Sequence, residues 1–217
     1  MPASIIDLPA SGDGAILNLT HSSNAHEREA SWSADGRTIA FISDVSGEEE
    51  LWTIAADGSG AARRVTLGDA GRYYNPVWSP DGRKIAMLDK AGSLLVVDMA
   101  TGAKRAIGAT KAWYARQYAW SPDSRYLAFT ELQPTNLGVI RIWDEVTGRS
   151  EAVTDPLHDA FEPTWSSDYL WFLSVQDANL QISETEWNYA PARQTRIYGL
   201  ALRPDAPNPF EIGRAHV

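Results

Sequence analysis

The chain has 217 residues, enough for one domain with a sizeable core, and its 44% hydrophobic content with nine tryptophans and eight tyrosines excludes disorder. A net charge of −9 without any basic run repels phosphate backbones and argues against nucleic acid as a partner. The absence of cysteine excludes disulfides and thiolate zinc sites, and no apolar run approaches the roughly 20 residues a membrane-spanning helix needs.

Residues Met1 to Ala10 lack the basic and then apolar pattern of a signal peptide. Residues 1–20 read as the end of a blade, closing on an outer strand over Ala15-Ile-Leu-Asn-Leu-Thr20. One phrase then recurs: Trp32-Ser-Ala-Asp-Gly-Arg37, Trp78-Ser-Pro-Asp-Gly-Arg83, Trp120-Ser-Pro-Asp-Ser-Arg125 and a shortened Trp165-Ser-Ser-Asp168. The tryptophans lie 46, 42 and 45 residues apart. A strand-rich period of about 40–50 residues marks a β-propeller, one four-stranded blade per repeat. The repeats fall at 21–66, 67–108, 109–154 and 155–204.

The second repeat shows the pattern. Asn75-Pro-Val-Trp78 is a first strand and Ser79-Pro-Asp-Gly82 its turn, with Pro80 presetting φ and Gly82 accepting a positive one. Lys84–Leu88, Ser93–Val97 and Lys104–Ile107 follow as strands, the last two joined by the turn Asp98-Met-Ala-Thr-Gly102. Leu51-Trp-Thr-Ile54 with Ala62–Thr66, and Val139–Trp143 with Ser150–Thr154, repeat the last two strands in the neighbouring repeats. These strands are apolar on both faces, as radially stacked blades require and as a sandwich with one wet face does not. The fold class is all-β: a β-propeller fragment of about four four-stranded blades, truncated at both ends. The fourth blade stops at Arg196 to Leu202 without an outer strand, and 211–217 read as a non-native tail. Two open blade faces make the isolated fragment a poor folder.

The recurrent tryptophans are expected to plug the gaps between blades. Asp35, Asp81, Asp123 and Asp168 are expected to be turn formers in separate blades. Catalytic signatures are missing. No Gly-x-Ser-x-Gly elbow occurs, His26-Glu27 has no second His on the next turn, and His21, His26, His158 and His216 carry no metal spacing. The Asn18-Leu-Thr20 sequon falls inside a strand. No catalytic residue, metal or cofactor is assigned. Two segments can carry function. The lead-ins to the first strands, Ala25 to Glu29, Arg72 to Asn75, Tyr114 to Gln117 and Asp159 to Glu162, converge on the mouth of a central channel. Glu27, Arg72, Tyr73, Asn75, Arg116 and Glu162 are the candidate channel lining, with ordinary wet loops the equal alternative. Gln176 to Gln194 replaces a four-residue turn by a 19-residue insert carrying Glu184, Glu186, Trp187 and Asn188, read first as a docking flap and second as a ligand contact.

The Trp-Ser-Pro-Asp-Gly-Arg-x-Ile-Ala phrase resembles TolB-like and WD-like propeller repeats. In the order His26-Glu-Arg-Glu-Ala-Ser-Trp32, Ser43-Asp-Val-Ser-Gly47, Arg116 to Phe129, Thr185-Glu-Trp-Asn188, Arg196-Ile-Tyr198 and Leu202 to Phe210, the chain resembles the second, seven-bladed propeller of the tricorn protease family. That resemblance implies a large, homo-oligomeric, cytoplasmic serine protease that degrades peptides, in which this propeller gates peptide substrate. The remaining blades, PDZ and protease domains of the parent chain would be its partners, and the catalytic Ser and His would lie outside this chain. A non-enzymatic TolB-like binding scaffold and the propeller of a prolyl-oligopeptidase-type hydrolase are the alternatives. Two departures matter: the Trp165 turn is shortened, and the Pro-rich exit runs into the odd tail.

Overall fold

The structure, a computed structural model, describes residues 6–7, 17–68, 71–109, 117–175, 178–182, 189–193 and 195–209. Among them there is no helix. Two short strands, β1 (Ile6–Asp7) and β2 (Leu17–Asn18), pair antiparallel. Blade 1 follows as β3 (Glu27–Trp32), β4 (Thr38–Ser43), β5 (Glu50–Ala55) and β6 (Arg63–Arg64). Blade 2 is β7 (Tyr73–Trp78), β8 (Lys84–Asp89), β9 (Ser93–Asp98) and β10 (Lys104–Ala109). Blade 3 is β11 (Tyr118–Trp120), β12 (Tyr126–Leu132), β13 (Gly138–Asp144) and β14 (Ser150–Ala152). Blade 4 has three strands, β15 (Ala160–Trp165), β16 (Tyr169–Ser174) and β19 (Arg196–Ala201). A separate hairpin, β17 (Ala178–Ile182) with β18 (Tyr189–Arg193), sits between β16 and β19.

Each sheet is antiparallel with strands in sequence order, and the sheets do not close into a ring. Packing explains the apolar runs. In β8, Ile85 and Met87 pack with Ala40, Ile42 and Leu51 of blade 1, whereas Ala86 and Leu88 pack with Leu127 and Phe129 of blade 3. The period of two persists, but both sets are buried because both faces meet a blade. Ala128 and Ile140 continue the pattern against Leu170 and Phe172 of blade 4. Fully burying one such aliphatic or aromatic side chain contributes about 1.5–3 kcal/mol, so stability is spread over the blade interfaces.

This topology sorts the loops. Turns joining first to second and third to fourth strands lie at one end of the arc. Those joining second to third strands, and the links from blade to blade, lie at the other. The hairpin β17–β18 joins a second strand to a third, so it rises from the end that carries the blade-to-blade links. The insert expected over Gln176 to Gln194 thus contains a hairpin that residue pattern alone did not show.

Candidate channel wall

The recurrent turn is built from a serine and an aspartate. The Ser33, Ser79 and Ser121 hydroxyls accept the main-chain N–H of Thr38, Lys84 and Tyr126 at 2.8–3.0 Å and donate to Asp35, Asp81 and Asp123 at 2.5–2.6 Å. Each aspartate then accepts the main-chain N–H of Arg37, Arg83 or Arg125. The Ser33 and Ser121 hydroxyls are the largest influence holding Asp35 and Asp123 below the ordinary carboxylate value. For Asp81 burial pushes upward, and the Ser79 hydroxyl with the Arg83 N–H overcomes it. In blade 4 the turn is shorter: Ser166 N–H donates to the Tyr169 carbonyl at 2.8 Å, and Asp168 pairs with Arg203 at 2.8 Å.

The tryptophans stitch the blades. The indole N–H of Trp78 donates to the Ser31 carbonyl at 3.0 Å, that of Trp120 to Val77 at 3.2 Å, and that of Trp165 to Ala119 at 2.9 Å. Each acceptor immediately precedes the tryptophan of the previous blade. Trp32, which has no such predecessor among the described residues, is 49% exposed.

The first strand of each blade pairs on one side only, which leaves one strand edge for the channel. Glu29, Asn75 and Glu162 hold φ of 57°, 52° and 56°, each three residues before its blade's tryptophan. Register shifts between Arg28 and Ser31, Tyr74 and Val77, and Phe161 and Thr164 show that each is a bulge residue. Such left-handed backbone is uncommon outside glycine, and a bulge re-aims the side chain it carries. Pro76 and Pro163, which have no N–H to offer a ladder, follow two of the three. That Asn-Pro and Glu-Pro pairing was the sequence signal for a bulge.

The bulges are cross-linked. The Glu29 carboxylate accepts the Asn75 main-chain N–H, and the Tyr118 hydroxyl donates to the Asn75 carbonyl. Arg28 bridges the same seam, pairing with Glu29 and Glu49 at 2.5 Å, donating to the Tyr73 carbonyl at 2.7 Å and lying 4.9 Å over the Tyr74 ring. Glu49 also faces the Arg72 guanidinium at 3.4 Å. Arg28, Glu29 and Glu49 were not singled out in sequence, because their roles depend on contacts across blades.

The structure distributes the candidate lining residues unevenly. Arg72 and Glu162 are exposed and Asn75 is part-buried. Glu27 is 5% exposed and takes the Thr20 hydroxyl at 2.5 Å. Tyr73 is 2% exposed, packs with Met87 and Val97, and its hydroxyl meets Lys104 at 3.1 Å. Arg116, Glu184, Glu186, Trp187 and Asn188 lie outside the described residues. The lead-ins at 27–29, 73–75 and 160–162 are strand, not loop.

At the opposite end lie two equivalent grooves that the sequence did not announce. One, of about 380 Å³, is lined by Ser121, Asp123, Tyr126, Ile142, Trp165 and Ser166; the other, of about 320 Å³, by Ser33, Asp35, Thr38, Thr53, Trp78 and Asp81. Both open in front of a blade-joining tryptophan. Among the described residues no three His, Asp or Glu side chains are grouped to hold a metal, and no helix is long and apolar enough to cross a membrane.

Radial four-stranded sheets, joined by indole bonds around an open arc, define the chain as part of a β-propeller. The profile of the tricorn protease second beta propeller domain matches residues 8–216, and the chain belongs to that family. The crystal structure of the tricorn protease superposes with a TM-score of 0.77 at 17% identity, covering 89% of this chain and 19% of that one. A TolB from Agrobacterium tumefaciens superposes at 0.57 with 18% identity, covering 91% and 69%, and a puromycin hydrolase at 0.55 with 20% identity, covering 77% and 27%. At these identities the likeness is one of fold. No curated protein sequence matches the chain.

Proposed function

We propose that this chain is the substrate-gating and scaffolding part of a propeller in a cytoplasmic, tricorn-like serine peptidase that degrades peptides. The remaining blades, PDZ-like and protease domains, and the catalytic Ser and His, belong to the rest of that polypeptide, which works as a homo-oligomer. The observation that carries this reading is the family match over residues 8–216. The bulged first strands support it, since they give a rigid rim bearing polar groups. Arg72, Asn75, Glu162 and Arg116 line the mouth. Glu29 and Arg28 brace it, and Glu27 and Tyr73 hold it from behind. The insert, with Glu184, Glu186, Trp187 and Asn188, serves as a flap at that end. The mechanism is steric: a mouth framed by stitched strands passes an extended peptide and excludes a folded protein.

The test uses the full-length protein. Asn75→Trp together with Glu162→Trp should slow hydrolysis of long unfolded peptides several-fold and leave a short chromogenic peptide unaffected. Equal slowing of both substrates, or a full-length protein without peptidase activity, would refute the gating role.

A further inference from the structure

We propose that the groove between blades 1 and 2 is a recognition site for a tyrosine side chain carried by an extended peptide. Both walls of this groove belong to complete four-stranded blades. Each seam sets three equivalent positions in front of its blade-joining tryptophan. The first is the residue whose main-chain N–H goes to the turn serine: Thr38, Lys84 or Tyr126. The second lies four residues past the tryptophan of the next blade, and is Gly82 in the first seam and Ser124 in the second. The third lies just past the third strand of the next blade. It is Met99, Glu145 or Leu202, whose N–H groups donate to the carbonyls of Arg83, Arg125 and Asp168.

The other two seams occupy these positions with side chains that meet across the blades. Between blades 2 and 3 the Ser124 hydroxyl takes the Asp81 N–H at 3.0 Å, and the Lys84 ammonium pairs with Glu145 at 2.6 Å. Between blades 3 and 4 the Tyr126 ring stacks on the Trp165 indole, with centroids 6.4 Å apart and planes 25° from parallel, and the Arg125 guanidinium lies 4.8 Å from the same ring. Between blades 1 and 2 every one of these contributions is missing. Thr38 has neither an ammonium nor a ring, Gly82 has no hydroxyl for the Asp35 N–H, and Met99 has no carboxylate. What remains is the groove of about 320 Å³ in front of Trp78. That volume falls within the roughly 300–1,000 Å³ of ligand pockets.

Tyrosine is the guest because this seam keeps both partners of the Tyr126 ring and lacks only the ring. Arg37 stands where Arg125 does, immediately before the first position, and Trp78 stands where Trp165 does. An indole face and a guanidinium both attract an aromatic ring. The rest of the lining is polar: Ser33, Thr38 and Thr53, with the Asp35 and Asp81 carboxylates, offer a phenol hydroxyl both donors and acceptors. A carbonyl of the same peptide takes the Asp35 N–H, as the Ser124 hydroxyl takes that of Asp81. The two carboxylates also select by charge. A neutral phenol is admitted, whereas a phosphorylated tyrosine, with about −1.5 to −2 charge at pH 7, is repelled. The groove lies at the end of the arc away from the candidate channel mouth, so tyrosine capture is separate from the gating proposed above and does not depend on it.

The experiment is an NMR titration of the 217-residue chain with the end-blocked peptide Gly-Tyr-Gly and its alanine and phosphotyrosine counterparts. The tyrosine peptide should bind about tenfold or more tightly than either counterpart, as a central aromatic anchor does. Two variants close the groove with residues that the chain already carries at the same positions in other seams, Thr38→Tyr and Gly82→Ser. Ser124 holds φ 63° where Gly82 holds 70°, so the serine fits that backbone. Each variant should weaken binding of the tyrosine peptide about tenfold or more. Without peptide, Thr38→Tyr should melt at or above the Tm of the parent chain, because its ring completes the stack that Tyr126 makes. No binding of the tyrosine peptide, equal binding of the alanine or phosphotyrosine peptide, or unchanged binding in either variant overturns the proposal. A lower Tm for Thr38→Tyr overturns it as well, since the groove would then not accept the ring.

Discussion

Replacing Trp120 by Phe tests whether the recurrent tryptophans hold the blades to one another. Trp120 is buried, donates to the Val77 carbonyl across the seam at 3.2 Å, and meets Trp143 edge-on with centroids 6.3 Å apart. Phenylalanine keeps an aromatic ring but removes the donor, which takes a partner from the part-buried Val77 carbonyl at a cost of about 1–3 kcal/mol. Weakening the aromatic pair costs about 0.5–1.5 kcal/mol more. Together these give about 1.5–4.5 kcal/mol, a large fraction of the roughly 5–15 kcal/mol that stabilises a native domain. For a chain of this size each kcal/mol moves Tm by about 2–4 °C, so a fall of roughly 3–18 °C is expected. Trp32→Phe is the internal control. That side chain opens the same phrase but is half-exposed and bonds to no described residue, so its replacement should cost less than about 1 kcal/mol, in the range of surface changes. Thermal unfolding followed by near-ultraviolet circular dichroism gives both values. Equal losses in the two variants would refute the reasoning, because the tryptophans would then act within blades and not between them.

Four further outcomes are expected. Ser124 occupies a glycine position at φ 63° and its hydroxyl takes the Asp81 N–H at 3.0 Å, so Ser124→Ala should destabilise by about 1–2 kcal/mol, while Ser124→Gly, which relieves the backbone, should cost less; denaturant titration reads the order, and the reverse order would show that the bond is idle. Gly102→Ala places a Cβ 2.2 Å from the Val65 carbonyl oxygen at φ 73°, whereas Gly36→Ala at φ 69° meets open space, so the first should lower Tm clearly more than the second. Asp35, Asp81 and Asp123 are lowered from 3.8 in the native state, so the stability they contribute is present above that pH and is lost as pH falls through 3.8 toward the native values. Tm measured against pH should therefore fall on the acid side, and Asp123→Asn should lower Tm at neutral pH and flatten that acid limb.

The fold was legible because the repeat states it several times over. The turn phrase Ser-x-Asp fixes where the first strand ends, and the buried second strand, Ile39–Ser43 or Ile85–Leu88, follows at a fixed offset. The expected shortening of the Trp165 turn is seen at Ser166 and Tyr169. What local pattern could not show is which way a bulged residue turns. Asn75-Pro reads as extended strand and Asp159 to Glu162 as a lead-in; the prolines mark where the ladder is interrupted, but the positive φ arises only from the two-against-one pairing with β8 and β16. The burial of Tyr73 was equally hidden. It reads as a polar mouth residue until blade 1 is set beside it, and then its ring fills the seam between Ile42 and Met87.

The seam chemistry places few demands on the side chain at each acceptor position. Each of the three seam indoles, Trp78, Trp120 and Trp165, donates to a main-chain carbonyl, so the acceptor position can hold Ser31, Val77 or Ala119 without changing the bond. A side-chain acceptor would have tied two positions together in sequence. A carbonyl acceptor ties the tryptophan to a backbone position that any residue supplies. The remaining side chains of each seam are then free to differ: Arg28 stacks on Tyr74 in one, Lys84 pairs with Glu145 at 2.6 Å in the next, and Tyr126 stacks on Trp165 in the third. The phrase around each tryptophan is thus the part of the repeat that recurs, and the surrounding side chains are where the three seams of this chain differ.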